Sequence, residues 1–338
     1  MKAPMKNLAE PNGTEPHRIW RRLLMALGLC SALCGAGSVP AAGLTLALAE
    51  LPSFAPALIA EAEGYYAAEG LNLKILPCVN GRRCLKHLTD GEAQVATVAN
   101  TPMMFAAHEG KAFEIVATMA TSATDNSLIA RSDRGIRNVA DLKGKRIGFV
   151  PGTTSHFFTD AFLLFHGIDH TAVTLVPLDA GQAAEQLARG EVDAAGLYTP
   201  HGPHALALLR DKGLVLPSPR LYTVALNLVS QPGVAPADLG KLLRALQRAI
   251  VLINEQPERA QAVLARRLKM DGAALLALTA VYDFKLSLSP SLLTTLEAES
   301  RWAQRSALVP AGPLPDYLAR IQAGPLRKLD RRAVTIAK

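Results

Sequence analysis

Hydrophobic and polar positions along residues 44–230 repeat in one order, a short apolar run followed by an amphipathic segment. Leu44–Ala49 is an apolar run of strand length, and Leu58, Ile59 and Ala62 then recur at the spacing of one helix face. The next apolar run has strand length again, so the predicted order of elements is strand, helix, strand. This pattern predicts an α/β fold, in which the loops at the carboxyl ends of the strands hold ligands.

The pattern predicts ten short strands and, after Pro236, a tail of helices. The strands are expected at residues 44–49, 71–76, 94–99, 114–120, 126–131, 146–150, 173–177, 192–197, 214–216 and 221–230. The tail helices are expected at residues 238–254, 257–268, 271–281, 291–304 and 315–323. Apolar residues of the tail mix with charged ones at a 3.6-residue spacing, so the tail is expected to pack and not to carry chemistry.

Hydroxyl side chains stand at a helix start that follows a predicted strand. After Arg146–Val150 and the turn at residues 151–152, Thr153, Thr154 and Ser155 open an apolar helix. The first turn of a helix has unpaired backbone N–H groups and the positive end of the helix dipole, so it can bind an anion. Two interpretations remain open, because a hydroxyl at this position can serve only as a helix cap.

Two loops of the first predicted units offer further candidates. Ser53 and Phe54 follow the first strand, although a serine between two prolines also suits a simple turn. Asn100 and Thr101 stand between a strand and a proline at the first position of the next helix, Pro102. These four residues are therefore candidates for ligand contacts at strand ends.

Composition narrows the class of protein. The chain has 338 residues, 49% hydrophobic and 19% charged, which is typical of a globular protein with room for two domains. The net charge is +7, and outside the N-terminal segment the positive residues form no dense run. This balance weakly favours anionic ligands and gives little reason to expect nucleic acid.

The N-terminus has the order of a secretory signal. Arg18, Arg21 and Arg22 precede the apolar run Leu23–Cys34, and small residues follow. We expect residues 1–42 to be removed by cleavage near their end, which gives a soluble protein exported to the periplasm. The apolar run is too short to span a bilayer.

Four cysteines fall into two groups. Cys30 and Cys34 suggest a lipoprotein, but leucine precedes each of them where a lipobox has a small residue, so lipidation stays the alternative. Cys78 and Cys84 would remain after cleavage. In an oxidising compartment such a close pair favours a disulfide over a metal site, because no further cysteine or histidine stands nearby at ligand spacing.

Four segments resemble one family in order and spacing. The family is that of the periplasmic substrate-binding proteins of ABC importers for sulfonates, taurine and nitrate, a group that also includes binding proteins for thiamine pyrimidine precursors. The segments are EAEGYYAAEGL, GEAQVATVANTP, ARSDRGIRNVADLKGKRIGF followed by PGTTSHFFTDAFLL, and LARGEVDAAGLYTP. The likeness covers residues 44–230, with a compatible helical tail beyond.

The resemblance implies a type II clamshell of two α/β lobes joined by two crossover strands, with a ligand between them and a helical C-terminal tail. We place lobe 1 at residues 43–132 and 225–338, and lobe 2 at residues 133–224. The resemblance also implies delivery of the ligand to the ABC permease in the inner membrane. We expect the binding protein itself to be a monomer.

Carried across residue by residue, the family's ligand positions fall on the candidates above and on one more element. They fall on Ser53, Asn100, Thr101, Thr153, Thr154, Ser155 and Tyr198, with Pro200 completing an aromatic-x-Pro element. We add Phe54 and His156 as neighbouring candidates. The family often has Trp-Glu-Pro where this chain has Tyr198-Thr199-Pro200, and the loss of an acidic residue suits an anionic ligand.

The expected function is binding and not catalysis. We expect uncharged amide and hydroxyl donors to grip a small anion, because no Arg or Lys stands at the candidate strand ends. No catalytic residue, metal or cofactor is expected, since the motifs GxGxxG, HExxH, GxSxG and the Walker loop are absent from the sequence. The alternatives are a binder of a thiamine pyrimidine precursor, an enzyme on the same fold with His156 as its best-placed histidine, and a sensor module.

Overall fold

The computed structural model describes residue 1 and residues 43–337. The predicted secretory signal, including Cys30 and Cys34, therefore lies outside the described residues. Within the described residues no helix is both long and apolar enough to cross a membrane.

Eleven strands of the described chain form two sheets. They are β1 (Leu44–Ala49), β2 (Leu73–Cys78), β3 (Val95–Ala99), β4 (Glu114–Ser122), β5 (Asn126–Arg131), β6 (Arg146–Phe149), β7 (Thr174–Pro177), β8 (Ala194–Tyr198), β9 (Gly213–Leu216), β10 (Val224–Ser230) and β11 (Asp283–Ser287). The six-stranded sheet has the order β11-β4-β10-β3-β1-β2, and the five-stranded sheet has the order β7-β6-β8-β5-β9. We call each sheet with the helices packed on it the first and the second lobe.

Helices connect and cover the strands. The first lobe contains helices Ala55–Ala62, Tyr65–Ala68, Gly81–Thr89 and Asn100–His108, and the second contains Thr154–Phe165, Ala183–Arg189 and His201–Leu209. The tail returns to the first lobe with helices Pro236–Glu255, Pro257–Leu268, Gly272–Thr279, Pro290–Arg305 and Ala323–Leu329. In each lobe three strands run parallel, β1 to β3 and β6 to β8, so their carboxyl ends face the same side of their sheet.

Buried apolar side chains form a layer against each sheet. Leu58, Met103 and Leu246 are fully buried around the six-stranded sheet, and Leu128 and Phe162 are fully buried around the five-stranded sheet. Each such side chain contributes about 2 kcal/mol through removal of its apolar surface from water. The chain passes between the layers twice, from β4 to β5 and from β9 to β10. The predicted fold class, two α/β lobes joined by two crossings with a helical tail, is confirmed.

The first crossing lies earlier than the sequence suggested. β5 pairs with β8 and β9 in the second lobe, so the chain changes sheets at residues 123–125, whereas the sequence predicts that lobe 1 extends to residue 132. β4 and β5 are separated by only three residues, and a pair of strands so close in sequence looks like a hairpin of one sheet. The second crossing falls at residues 217–223, next to the predicted boundary.

Two predictions for the tail are wrong. The helix predicted at residues 315–323 is not formed; the last α-helix of the described chain, Ala323–Leu329, begins where the predicted one would end. The tail also contains β11, which pairs with β4 at the edge of the first sheet. Phe284 and Leu286 are buried within it and Leu288 is buried directly after it, which is the two-residue period of a strand and not a helical spacing.

Candidate functional site

Loops from both lobes line an open cavity of about 400 Å³, a volume that includes space open to solvent. The loops follow the carboxyl ends of β1, β2 and β3 in the first lobe and of β6 and β8 in the second, where open α/β sheets hold ligands. Leu51, Phe54, Val224 and Leu226 form the apolar part of the wall. The polar residues of the wall are Ser53, Asn80, Arg82, Asp125, Thr153, Thr154, Tyr198 and Thr199.

The helix start at residues 153–155 contributes two hydroxyls to the cavity, and the two differ in what they bind. The Oγ1 of Thr153 donates to the carbonyl oxygen of Val150 at 2.8 Å and accepts from the N–H of Ser155 at 3.2 Å, so it caps the helix. The hydroxyl of Thr154 forms no hydrogen bond with the described residues. Thr154 is therefore the one of the two whose side chain is available to a ligand.

Ser155 and His156 turn away from the cavity. The Oγ of Ser155 is fully buried, donates to the carbonyl oxygen of Gly196 at 2.6 Å and fastens the helix start to β8. The ring of His156 stacks on Phe149 with centroids 4.4 Å apart and meets Trp302 edge-on at 5.1 Å. Burial lowers the pKa of His156, which keeps its imidazole neutral.

Asn100 and Thr101 bind a buried glutamate of the tail. The Nδ2 of Asn100 and the hydroxyl of Thr101 both donate to Oε1 of Glu299, and Oδ1 of Asn100 accepts from the N–H of Ala225 at 2.9 Å. Both side chains are fully buried, and neither lines the cavity, whereas the next residue, Pro102, does. These contacts support a structural role for both residues, and we leave them out of the proposed ligand contacts.

Ser53, Phe54 and Tyr198 reach the cavity from opposite lobes. The hydroxyl of Tyr198 is buried next to Asn80 and has no well-aligned hydrogen-bond partner in the described chain. Burial raises the pKa of Tyr198 to about 12, so the group stays a neutral donor. With Thr153 and Thr154, five of the nine candidate ligand residues lie on one cavity, and their contact with a ligand stays a prediction.

Asp125 is a wall residue that the sequence did not reveal. It lies at the first crossing, is 7% exposed, and accepts hydrogen bonds from the hydroxyl of Tyr282 and from Nδ2 of Asn126. Burial raises the pKa of Asp125 to about 6. Tyr282 belongs to the tail and does not line the cavity, so its contact with Asp125 is a packing contact that holds a wall residue in place. An isolated aspartate between two strands gives no signal in the sequence, because its place depends on the crossing.

Arg82 is the second unexpected wall residue. The structure pairs Cys78 with Cys84, with their Cα atoms 5.5 Å apart, and the disulfide closes a short loop that carries Asn80 and Arg82. Asn80 caps the next helix by accepting from the N–H of Arg83 at 2.9 Å. Arg82 follows β2, which is not one of the candidate strand ends, so the expectation of uncharged donors at those ends does not cover this exposed side chain.

Arg82 also borders a wider space outside the cavity. This outer compartment lies between helices Gly81–Thr89 and Asn100–His108 of the first lobe and residues Gly152 and Ala180 of the second, and its volume is about 1070 Å³ when space open to solvent is included. Its charged wall residues are Arg82, Arg83, Lys86 and Lys111 against Asp90 and Glu109. Cations therefore outnumber acids at the mouth of the cavity.

Comparisons with known proteins give one family and one fold. A family model described as NMT1/THI5 like matches residues 51–260. A putative aliphatic sulfonates-binding protein of Bacillus subtilis (strain 168) is 24% identical over 255 residues, which cover 70% of this chain and 75% of that protein.

Among solved structures, the alkanesulfonate-binding protein SsuA from Xanthomonas axonopodis pv. citri, bound to MOPS, is 19% identical with a TM-score of 0.71; the match covers 84% of this chain and 99% of that one. The desulfurization enzyme DSZB is 17% identical with a TM-score of 0.63, and the match covers 86% and 99%. Likeness at these identities shows the fold, which a binding protein and an enzyme share.

Proposed function

The chain belongs to the NMT1/THI5-like family, and from this premise we propose that it is an extracytoplasmic solute-binding protein that delivers a small anionic ligand to an ABC permease. The family match agrees with the resemblance of its sequence segments. The ligand class we propose is that of sulfonate, taurine or nitrate, since the curated relative is named for aliphatic sulfonates. The predicted secretory signal supports a periplasmic location.

The observation that carries this proposal is a cavity whose polar wall comes from both lobes. Ser53, Asn80 and Arg82 belong to the first lobe, and Thr154 and Tyr198 belong to the second. A ligand bound by both sets of donors stabilises the arrangement in which the lobes meet, because separation of the lobes would break half of its hydrogen bonds. The two crossings, at residues 123–125 and 217–223, are the segments about which the lobes can separate.

Closure of the lobes strengthens each contact with the ligand. Removal of water lowers the local dielectric constant, so hydrogen bonds from Thr154, Tyr198 and the guanidinium of Arg82 to an anion gain strength. Because a binding protein must also release its ligand, we expect micromolar affinity, about −8 kcal/mol. The closed arrangement is the one that we expect the permease to recognise.

A thermal-shift panel on the protein from residue 43 onward tests this function. We expect alkanesulfonates or other small anions to raise the melting temperature, and small-angle scattering to show a more compact protein with the same compound. If a neutral pyrimidine is the only compound that stabilises the protein, the anion assignment fails and the pyrimidine-precursor alternative replaces it. If no small solute stabilises the protein, the binding function fails.

An enzymatic function is the second candidate, and Asp125 is the observation that favours it. A carboxyl group whose pKa is about 6 can take up and release protons near neutral pH, and the fold is shared with the desulfurization enzyme DSZB. Incubation of the protein with each stabilising compound, followed by mass spectrometry, separates the candidates. A binding protein returns the compound unchanged, whereas an enzyme gives a product that the Asp125→Asn variant does not form.

A further inference from the structure

Among the described residues of the cavity wall, Asp125 is the one whose charge changes near neutral pH. Burial raises the pKa of Asp125 to about 6. The other titratable wall residues are Tyr198, whose pKa burial raises to about 12, and Arg82, a permanent cation. Arg82 is exposed and forms no ion pair with Asp125. The protonation of Asp125 therefore decides which charge the buried part of the wall presents to a ligand.

Neutral groups surround the Asp125 side chain. The hydroxyl of Tyr282 donates to its Oδ1, and Nδ2 of Asn126 donates to its Oδ2 at 3.0 Å. The phenols of Tyr198, at the end of β8, and of Tyr222, on the second crossing, also interact electrostatically with it. Burial raises the pKa of all three tyrosines, so each stays neutral. Within the described chain no cation forms an ion pair with Asp125, and an ionised Asp125 keeps its full charge.

The same wall offers donors for an anion. The hydroxyl of Thr154 is free at a helix start, and Tyr198, which is 6% exposed, has a buried hydroxyl without a partner. A ligand that fills this cavity and accepts from both hydroxyls lies near Asp125 as well. An ionised Asp125 would repel that anion, and the repulsion is strong where the lobes exclude water. A protonated Asp125 adds an O–H donor instead, while its oxygens still accept hydrogen bonds.

We propose that Asp125 binds the anionic group of the ligand as a protonated carboxylic acid, so that capture of the anion takes up a proton. This inference rests on the proposed function and adds proton uptake to it. The coupling is reciprocal: the bound anion raises the pKa of Asp125 further, and protonation of Asp125 tightens binding of the anion.

The sign of the pH dependence follows from the pKa of Asp125. Below pH about 6 the free protein already carries the proton, so affinity is constant. Above this value the free protein is ionised, and binding must add a proton from solution. Affinity then falls by about tenfold for each pH unit until the pKa of the complex is reached.

Small permanent anions test the inference on the unaltered protein. Methanesulfonate, ethanesulfonate, propanesulfonate and nitrate keep one negative charge across this range, so any pH dependence belongs to the protein. By calorimetry we expect at least one of them to bind about tenfold or more weakly at pH 7.5 than at pH 5.5. A pH electrode in weakly buffered solution near pH 7 should record uptake of about one proton for each bound anion. The buffers must contain no sulfonic acid, which would compete for the cavity.

Asp125→Asn assigns the proton, because an amide resembles the protonated acid and cannot ionise. At pH 7.5 we expect this variant to bind the same anion about tenfold or more tightly than the parent protein, and at pH 5.5 equally to within about threefold. Damage to the fold would weaken binding at both pH values, so it cannot imitate a gain at the higher one.

Glu299→Gln is the matched control. Glu299 is a second buried acid, with its pKa raised to about 8, but it does not line the cavity. We expect its replacement to leave the pH dependence of affinity and the uptake of a proton as they are in the parent protein.

The outcomes separate this inference from the proposed function. Binding that is equally tight at both pH values, without proton uptake, overturns the inference and leaves an anion-binding protein. A pH dependence that persists in Asp125→Asn assigns the proton to another group, such as His201, whose ring meets that of Tyr198 edge-on at 4.9 Å, and overturns the role of Asp125. Failure of every anion to bind at either pH overturns the proposed ligand class and this inference together.

Discussion

The indole Nε1 of Trp302 donates a hydrogen bond of 2.9 Å to Oδ2 of Asp160. Trp302 lies on a tail helix that packs on the first lobe, whereas Asp160 lies on helix Thr154–Phe165 of the second lobe. The two residues are 6% and 5% exposed. The hydrogen bond therefore joins the lobes through the helix whose first residue, Thr154, lines the cavity.

Replacement of Trp302 by phenylalanine should loosen the contact between the lobes. The variant removes the donor and leaves the buried carboxylate of Asp160 short of one partner, so we expect the free energy of unfolding to fall by about 1–3 kcal/mol. We also expect weaker ligand affinity, since the closed arrangement loses a contact. Urea unfolding and calorimetry measure the two effects.

Asp160→Asn is the control for the Trp302 variant, because its amide oxygen can still accept from the indole. Asp160→Asn should lower the free energy of unfolding by less than Trp302→Phe does. The double variant should lower it by less than the sum of the two single losses. Additive losses would show that Trp302 and Asp160 act independently.

The order of the strands from β1 to β10 was predictable, because buried strands and amphipathic helices impose different periods on the sequence, whereas β11 in the tail was not. The place of Thr153 and Thr154 was predictable as well, since a strand, a glycine turn and a hydroxyl-rich helix start are contiguous in the chain. Asp125 and Arg82 were not predictable. Asp125 reaches the cavity only because the chain changes lobes there, and Arg82 does so because its loop after β2 lies beside Gly152.

Thr154→Val should weaken ligand binding and Thr153→Val should lower stability, although the two residues are adjacent. Thr154 has a free hydroxyl on the cavity, so its loss should weaken ligand binding by about fivefold or more while the melting temperature of the unliganded protein stays unchanged. Thr153 caps the helix, so its loss should lower the free energy of unfolding by about 1 kcal/mol. Calorimetry and thermal melts of both variants test this pair. Undiminished affinity in Thr154→Val would remove Thr154 from the proposed site.

Gly196→Ala should destabilise the second lobe. A Cβ atom at this position of β8 would overlap Oγ1 of Thr159 on helix Thr154–Phe165, while Ser155 holds the same helix to the carbonyl oxygen of Gly196. The helix cannot shift without breaking that hydrogen bond, so we expect a loss of about 1–3 kcal/mol in urea unfolding. The double variant Gly196→Ala with Thr159→Ala should recover part of the loss. A single variant as stable as the parent protein would contradict the close packing of β8 against this helix.

Glu299 should make the stability of the protein depend on pH. Burial raises the pKa of Glu299 from 4.5 to about 8, and the hydrogen bonds from Asn100 and Thr101 oppose that rise only in part. The folded protein therefore keeps a proton on Glu299 that the unfolded chain releases between these two values. Stability must then fall as the pH rises through this window, by at most about 5 kcal/mol.

Glu299→Gln removes this titration, because a glutamine side chain resembles the protonated acid and stays neutral. We expect the variant to gain stability relative to the parent protein as the pH rises from about 5 to 9, with most of the change complete near pH 8. Asp125, whose pKa is raised as well, is common to both proteins and cancels in the difference. Urea unfolding at several pH values measures the difference, and parallel curves across the range would show that Glu299 is already ionised in the folded protein at pH 5.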